Sequence, residues 1–287
     1  MITLGACGDV ADTLPDAPPA DADGDAQTDA ASDDAAVTPD APLARCNPAL
    51  PFAAPVPVLK LSSSFDDTSL SLTRNERIAF IGREIVGAPS LLTATRPSAL
   101  VAFGTPVTEP MDAINAIVGG ELHPSSSADG LVIYFQRQTV QPLVIVAART
   151  TTAEAFGAGA SVTVNGIALE ATHPVIAADG QTLYWRDPAT ARLARAGRLN
   201  TALAFGPGSA ASSFALSNPV LSDDELTLRY SDGAEILESV RASTSVQFAP
   251  GVPLAGVNSA QPDAPLSVSA DDCVLFLKSS RPGGAGG

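Results

Sequence analysis

The sequence predicts an all-β fold, a β-propeller of five four-stranded blades that follows an acidic N-terminal tail. Three observations carry this prediction: a composition suited to short strands, a concentration of acidic residues near the N-terminus, and two landmarks that recur five times. Hydrophobic residues make up 45% of the 287 residues, and 23 Gly and 24 Pro supply turns. The length alone is compatible with one large domain or two small ones.

The negative charge is concentrated in the tail. Residues 8–44 contain ten Asp and neither Lys nor Arg, which leaves a net charge of about −5 for the rest of the chain. No basic patch is available to neutralise phosphates, so nucleic-acid binding is excluded. A segment this polar buries too little apolar surface to fold, and we expect a disordered spacer. No segment reaches the roughly 18 apolar residues of a membrane-spanning helix.

The first landmark is an Arg followed seven positions later by a Phe. It occurs five times, at Arg45/Phe52, Arg96/Phe103, Arg149/Phe156, Arg198/Phe205 and Arg241/Phe248. Successive Phe residues are 51, 53, 49 and 43 positions apart. A recurrence at this interval indicates a repeat architecture, in which each Arg is expected to make a structural contact at a strand end.

The second landmark is a turn sequence that follows each Phe and precedes a short apolar strand. Asp-Gly pairs favour tight turns, and a turn followed by β-formers indicates a hairpin. The turns are 73–76, 127–130, 177–180, 221–225 and 269–272. The strands expected after them are Ile78–Ile81, Leu131–Phe135, Thr182–Trp185, Leu226–Tyr230 and Val274–Leu277.

Units of this length with about four strands have the size of a propeller blade. The order Pro, a short gap, Ser-x-Asp-Gly and a strand ending in an aromatic resembles the TolB-like, WD-type repeat of bacterial propellers. The best copies are Pro124–Phe135 and Pro174–Trp185, and the first unit departs by having Asn75-Glu76 at the turn. The resemblance covers residues 45–287 and implies five blades; six would require a further unit without clear landmarks.

The N-terminus resembles a bacterial lipobox, Leu4-Gly5-Ala6-Cys7. The resemblance implies acylation of Cys7, with residues 1–6 as the remnant of a signal peptide and residues 7–44 as the spacer. Only six residues precede Cys7, without a charged or a full apolar leader region, so we expect a start further upstream. Asp9 is not directly after Cys7, which favours the outer membrane. The alternative is a chance match in a cytosolic protein.

The last unit ends before the apolar run that precedes Arg in the other units, so either the chain is truncated by one strand or this strand comes from elsewhere in the chain. The segment Ala41–Arg45 occupies the register of that run, and we expect it to close the ring as a short strand. Closure would bring Cys46 near Cys273, and in an oxidising compartment this predicts a disulfide worth about 5 kcal/mol. The alternative is two unrelated buried thiols.

The chain has two histidines, and both occupy the same repeat position. His123 and His173 each precede a Pro, six residues before Asp129 and Asp179, and Asn218 holds the matching position in the fourth unit. Equivalent positions lie at equal height around a propeller axis, so these side chains are candidates for a binding site at the channel mouth. Without further ligands we expect no metal site, and the alternative is that both histidines are structural.

The sequence shows no nucleophile elbow, phosphate-binding loop or clustered metal ligands. The repeated Asp residues are explained by turns, which leaves Glu121 and Glu170 as the carboxylates that paired glycosidase chemistry could use. We predict a monomeric, non-enzymatic envelope lipoprotein without a cofactor. Its propeller would bind a protein or glycan partner. The alternatives are a carbohydrate-active enzyme on the same fold and a structural envelope protein without a discrete ligand.

Overall fold

The computed structural model describes residues 2–6, 46–47, 50–58, 60–85 and 88–281, with the backbone alone for residues 4–6. The described chain is almost entirely β-structure, folded as five blades around a central channel. The prediction of a five-bladed propeller is therefore confirmed. Each blade begins with the inner strand that lines the channel and proceeds outward by antiparallel pairing.

In chain order, the described elements are β1 (Ile2–Ala6), β2 (Val56–Pro57), β3 (Asp66–Leu72), β4 (Ile78–Ile85), β5 (Ala88–Thr95), a 3-10 turn (Glu109–Met111), α1 (Asp112–Asn115), β6 (Glu121–Ser126), β7 (Val132–Arg137), β8 (Leu143–Ala148), β9 (Ala160–Ser161), β10 (Thr163–Val164), β11 (Ile167–Ala168), β12 (Thr172–Ile176), β13 (Thr182–Arg186), β14 (Arg192–Gly197), β15 (Ser209–Ala215), β16 (Ser217–Leu221), β17 (Thr227–Ser231), β18 (Ile236–Val240), β19 (Val252–Pro253), β20 (Asp263–Val268) and β21 (Val274–Ser279).

The blades follow the sequence repeat. Blade one is β3-β4-β5, with a single bridge between Thr93 and Val107 at the fourth position. Blades two, three and four are β6-β7-β8-β9, β12-β13-β14-β15 and β16-β17-β18-β19. A separate hairpin, β10-β11, lies between blades two and three in the chain. Blade five combines both ends of the chain in the order β20-β21-β1-β2.

Ring closure differs from the sequence prediction. The strand next to β21 is β1, which pairs antiparallel from Ile2 opposite Lys278 to Ala6 opposite Val274. The expected closing segment, residues 41–45, lies outside the described residues, and its predicted place is taken by residues assigned to a leader remnant. A five-residue apolar segment has the same composition in a leader and in a buried strand, so the sequence does not distinguish the two. Ile2 and Thr3 are fully buried.

Cys46 and Cys273 form a disulfide with Cα atoms 5.5 Å apart. Cys273 immediately precedes β21, so the bond attaches the chain that leads into β2 to the blade that β1 closes. The bonded residues are 227 positions apart in sequence.

The apolar core is divided among the interfaces between successive blades. Four clusters fill these interfaces, because the alternating apolar residues of facing sheets interdigitate. Representative pairs are Ile81 with Phe276, Phe80 with Phe135, Tyr134 with Trp185, and Tyr184 with Tyr230.

The repeated Arg and Phe form what we call the Arg–Phe clasp, defined by the pairs Arg96/Phe103, Arg149/Phe156, Arg198/Phe205 and Arg241/Phe248. The guanidinium carbons lie 4.2, 4.4, 4.5 and 4.2 Å from the ring centres. Each Nε donates to the carbonyl of a turn residue in the left-handed region, at Glu76, Gly130, Gly180 and Glu225. The expectation of a structural role for these Arg is confirmed. Arg45 lies outside the described residues.

Candidate functional site

The central channel contains a cavity of about 130 Å³ accessible to the centre of a water molecule. It is lined by the five inner strands, β3, β6, β12, β16 and β20, and by the turns that follow them. At roughly 30 Å³ for one water molecule in the liquid, this cavity holds about four water molecules, which is enough for a small polar ligand. The lining combines aliphatic side chains with hydroxyl groups and prolines, among them Leu70, Val220, Ser69, Ser125, Pro124 and Pro174.

His123, His173 and Asn218 occupy matching places on three adjacent inner strands. All three have left-handed backbones, with φ of 51°, 51° and 48°. In each strand the pairing register shifts around this residue and the following Pro, as in a β-bulge. A bulge turns a side chain away from the regular pleat, and a left-handed non-glycine residue costs about 1 kcal/mol or more. We call these three positions the bulge ring.

The structure brings the two histidines of the bulge ring into direct contact. Their imidazole rings are stacked with centroids 3.6 Å apart and an angle of 26° between the planes. Both side chains line the cavity, and Nδ1 of His173 is buried without a hydrogen-bond partner. An orphaned buried polar atom costs about 1–3 kcal/mol, and a ligand that bonds this nitrogen would remove that cost.

Both imidazoles are neutral at pH 7. Burial lowers the pKa of His123 to about 3, assisted by the positive charges of Lys278 and Arg186. Burial also lowers the pKa of His173 well below its usual range, with further contributions from His123 and Arg186. A neutral imidazole carries one N–H donor and one acceptor nitrogen.

The charged groups that act on the stack are cations. Lys278 is paired with Asp66 at 2.5 Å. Arg186 donates from Nε to the carbonyl oxygen of Leu216 at 2.8 Å. No carboxylate among the described residues pairs with Arg186, in contrast to Arg83 and Arg137, which pair with Asp67 and Glu121. These cations add to the effect of burial, which is the main cause of the lowered pKa of both imidazoles.

The other end of the cavity is crossed by an ion pair. Nε of Arg74, in the turn of blade one, lies 3.2 Å from Oδ2 of Asp223, in the turn of blade four. Blade five lies between these blades in the ring, so the pair bridges across the channel axis. Burial raises the pKa of the Asp223 carboxyl, Arg74 opposes this rise, and Asp272 and Asp224 add to it.

The two carboxylates considered for glycosidase chemistry do not lie together in the cavity. Glu121 is buried and paired with Arg137 at 2.9 Å, and burial raises its pKa against the effect of that Arg. Glu170 is exposed and contacts the side-chain amide of Gln141. Asp223 is the sole carboxylate among the described residues that line the cavity.

The predicted site residues have different outcomes. His123 and His173 meet, and Asn218 lies in the same cavity lining. Within the described ranges, no group of three His, Cys, Asp or Glu side chains is arranged to hold a metal. Cys7, the predicted lipidation site, lies outside the described residues. Sequence reasoning missed Arg186 and the Arg74–Asp223 bridge, because both depend on contacts between separate blades.

None of the helices in the described part of the chain has the length and apolar character required to cross a bilayer.

No protein-family model matches the chain, and no curated protein matches it. Among solved structures, TolB from Acinetobacter baumannii is 14% identical with a TM-score of 0.46, and the match covers 81% of this chain and 59% of that one. A putative TolB from Agrobacterium tumefaciens is 10% identical with a TM-score of 0.47, covering 77% and 76%. An α-L-arabinofuranosidase from Podospora anserina is 11% identical with a TM-score of 0.44, covering 81% and 95%.

TolB proteins are thus among the structures that resemble this chain, as the sequence repeat implied. The chain spans 59% of the length of the Acinetobacter TolB. The propeller assignment rests on the strand pairing of the chain itself.

Proposed function

We propose that this protein is an envelope-anchored binding scaffold whose propeller offers the bulge-ring end of its channel to a protein or glycan partner. The observation that supports this proposal is the stacked pair His123/His173. Two neutral imidazoles line an open cavity, their backbones are strained, and Nδ1 of His173 has no partner. Strain and unpaired polar atoms that persist in a folded protein are concentrated at functional sites.

We regard the scaffold as non-catalytic. Glycoside hydrolysis ordinarily uses two carboxyl groups on opposite sides of the scissile bond. In the described lining of the cavity, Asp223 stands alone and its carboxylate is held by Arg74. The proposal therefore assigns binding, not bond cleavage, to the channel.

The binding proposal is tested with immobilised wild-type propeller and two variants. His123→Asn/His173→Asn keeps a residue that tolerates the left-handed backbone, as Asn218 does in blade four. Leu203→Ser/Val246→Ser alters exposed residues of the clasp loops and serves as the control. We expect a stoichiometric envelope protein or an arrayed glycan to bind the wild type and the control, and to be lost with the double His variant.

The same samples test catalysis. Incubation with a polysaccharide panel followed by product analysis should release no sugar. Cleavage that is lost in an Asp223→Asn variant would replace the scaffold by the enzyme alternative. Partner binding that survives in the double His variant would move the binding surface away from the bulge ring.

We further propose that Cys7 carries the lipid anchor and that the propeller lies in the periplasm or at the cell surface. Processing before Cys7 would remove β1 and leave an unpaired edge on β21. The segment 41–45, which the sequence predicts at this edge, directly precedes Cys46 and its bond to Cys273. We therefore expect that segment to pair with β21 in the processed protein.

The anchor is tested by intact mass of protein extracted from envelopes. The expected product begins at an acylated Cys7, and Cys7→Ser should remain unprocessed. A mature protein that retains residues 2–6 with an unmodified Cys7 would eliminate the anchor and leave β1 as the closing strand.

A further inference from the structure

We propose that a second cavity, between blades two and three, binds a small molecule that carries a carboxylate on an apolar body. The carboxylate takes the place that the side chain of Glu225 occupies at the next blade interface. This site is separate from the channel, because Ile176 alone among the described residues lines both cavities. Three observations support it: the size and lining of the cavity, the repeat position at which it opens, and an unused hydroxyl donor.

The second cavity has a volume of about 470 Å³. Its walls are β7, β8 and residues 161–163 on one side, and β12 with the loop 198–205 on the other. Apolar side chains form most of the described lining, among them Val132, Val146, Val162, Ile176 and Phe205. Pockets for small organic ligands have about 300–1,000 Å³ and a mostly apolar lining with a few polar groups. This cavity has that size and that kind of surface.

The cavity opens beside a turn residue that differs from blade to blade. The left-handed residues at this turn position are Glu76, Gly130, Gly180, Glu225 and Asp272. Glu76 pairs with Arg96 at 2.8 Å. Asp272 pairs with Arg229 at 2.8 Å. An acidic residue at this turn position is therefore a regular partner of a nearby cation, and blades two and three have Gly instead.

The interface between blades three and four shows what a carboxylate at this position does. The phenol of Tyr184 donates to Oε2 of Glu225 at 2.5 Å and accepts from Nη2 of Arg241 at 2.7 Å. Tyr184 is fully buried, so both hydrogen bonds are made away from bulk water. The carboxylate is the acceptor that completes the hydrogen bonding of this phenol.

The interface between blades two and three repeats the phenol and the guanidinium without the carboxylate. Nη2 of Arg198 donates to the phenol oxygen of Tyr134 at 3.1 Å, and both residues line the cavity. Burial raises the pKa of Tyr134 against the effect of Arg198, so the hydroxyl keeps its proton at pH 7. This buried hydroxyl donates to none of the described residues. Nη1 of Arg198 has one contact, at 3.5 Å with the carbonyl oxygen of Leu203. A carboxylate could accept from both groups.

The space beside Gly180 is open, unlike the space beside Gly130. A Cβ atom at Gly130 would lie 2.7 Å from Cγ2 of Thr73, so blade one already fills that place. Beyond its chain neighbours, a Cβ atom at Gly180 would meet only Cγ2 of Thr201, at 3.1 Å, and Nη2 of Arg198, at 4.0 Å, among the described atoms. The interface between blades two and three thus has room for a carboxylate that its own turn does not supply.

The site is tested by isothermal titration of the whole protein with octanoate, 1-octanol and acetate at pH 7. Octanol has an apolar body of similar size without a charge, and acetate has the carboxylate without the body. We expect octanoate to bind at least about tenfold more tightly than either comparison ligand. The fluorescence of Trp185, the one tryptophan of the chain, should change with octanoate, because Trp185 belongs to the apolar cluster that contains Tyr134 and Phe205.

The matched variants are Tyr134→Phe and Tyr184→Phe, which remove equivalent hydroxyl groups from adjacent interfaces. Tyr134→Phe should weaken octanoate binding about tenfold, because a hydrogen bond to a charged group is lost. Tyr184→Phe should leave octanoate binding unchanged, because Glu225 already occupies the corresponding place at that interface. Melting temperatures of both variants establish that they are folded.

A second pair of variants fills the space directly. Gly180→Glu introduces a carboxylate on a backbone with φ of 70°, and Glu225 has φ of 61° at the same turn position. We expect Gly180→Glu to abolish octanoate binding, because its own carboxylate accepts from Tyr134. Gly180→Ala adds a Cβ atom without a carboxylate and should retain binding.

Wild-type protein that does not bind octanoate, or that binds octanol equally tightly, overturns the inference without any variant. Acetate binding as tight as octanoate binding overturns the requirement for an apolar body. Octanoate binding that survives in both Tyr134→Phe and Gly180→Glu places the ligand elsewhere and also overturns it. His123→Asn/His173→Asn should bind octanoate as the wild type does, because these positions line the other cavity, and loss of octanoate binding there would reject the second cavity.

Discussion

The Arg–Phe clasps and the bulge ring are both built at repeated positions, yet they differ in how completely their polar groups are used. In the clasps, each guanidinium stacks on its Phe and donates to a turn carbonyl of its own blade. In the bulge ring, two imidazoles stack without hydrogen bonds and their backbones are left-handed. The clasps attach strand ends to turns of the same blade, although Nη2 of Arg149 is buried without a partner. The bulge-ring imidazoles make no hydrogen bond among the described residues, and they line the channel cavity.

The largest effect is expected from removing the disulfide at the ring closure, which is a structural contact like the clasps. Cys46→Ser/Cys273→Ser removes a cross-link between residues 227 positions apart. Chain-entropy reasoning predicts a loss of about 5 kcal/mol in the free energy of unfolding. Urea denaturation of oxidised wild type and the double variant measures it, and the reduced wild type should match the variant. A change below about 1 kcal/mol would show that the bond does not hold the ring.

The clasp itself is tested with Phe156→Ala. The ring of Phe156 is buried against Phe80 and lies under the guanidinium of Arg149. Removing it should lower the free energy of unfolding by about 3–5 kcal/mol, because a cavity remains in the core between blades. Phe65→Ala, at an exposed ring, is the control and should change stability by less than about 1 kcal/mol. If the two substitutions changed the free energy of unfolding equally, the clasp would have no special structural role.

The buried imidazoles of the bulge ring should make the free energy of unfolding depend on pH. The pKa of His123 in the folded protein is about 3, so its imidazole stays neutral down to about that pH. In the unfolded chain the same imidazole binds a proton below about pH 6.5. Stability is therefore lost as pH falls from about 6.5 towards 3, by about 2 kcal/mol at pH 5 for this residue. The folded pKa of His173 is also lowered, so its contribution has the same sign.

Denaturation curves at pH 7 and pH 5 measure this loss in the wild type and in His123→Asn/His173→Asn. The variant should lose less stability than the wild type over this interval, because it lacks the two imidazoles. Carboxyl groups titrate in both proteins, so some loss of stability should remain in the variant. Identical losses would mean that the imidazoles are protonated in the folded protein.

The smallest effect is expected at the opposite end of the cavity. Asp223→Asn removes the ion pair with Arg74, in which the side chains are 34% and 63% exposed. Exposed pairs contribute about 0–1 kcal/mol, so the free energy of unfolding should change by less than that. Arg77→Gln, at an exposed residue near the same turn, is the control. A loss of several kcal/mol would make the bridge part of the structural framework.

Much of the fold could be predicted because the sequence contains five similar units that can be compared with one another. The clasps and turns recur at regular intervals, and each follows local rules for Arg, Asp and Gly. The identity of the closing strand could not be predicted, because β1 pairs with residues about 270 positions away and its five residues carry no distinguishing pattern. A leader remnant and a short buried strand are alike in sequence.

The candidate site was predictable in part. Equal repeat positions indicated that His123 and His173 would lie at one height around the axis. Their stacking depends on the distance between adjacent inner strands and on the bulges, which follow from packing of the whole ring. The contribution of Arg186 arises from its reach into the next blade, and no local pattern marks it.

The most direct test of the account is the free energy of unfolding of His123→Asn/His173→Asn at pH 7, measured beside its partner binding. If the stack exists for a ligand, the variant should lose binding while its stability stays within about 1 kcal/mol of the wild type, since Asn accepts the left-handed backbone and the unpaired Nδ1 disappears. A loss of about 3 kcal/mol or more, with binding retained, would show that the histidines are structural core residues and would contradict the account.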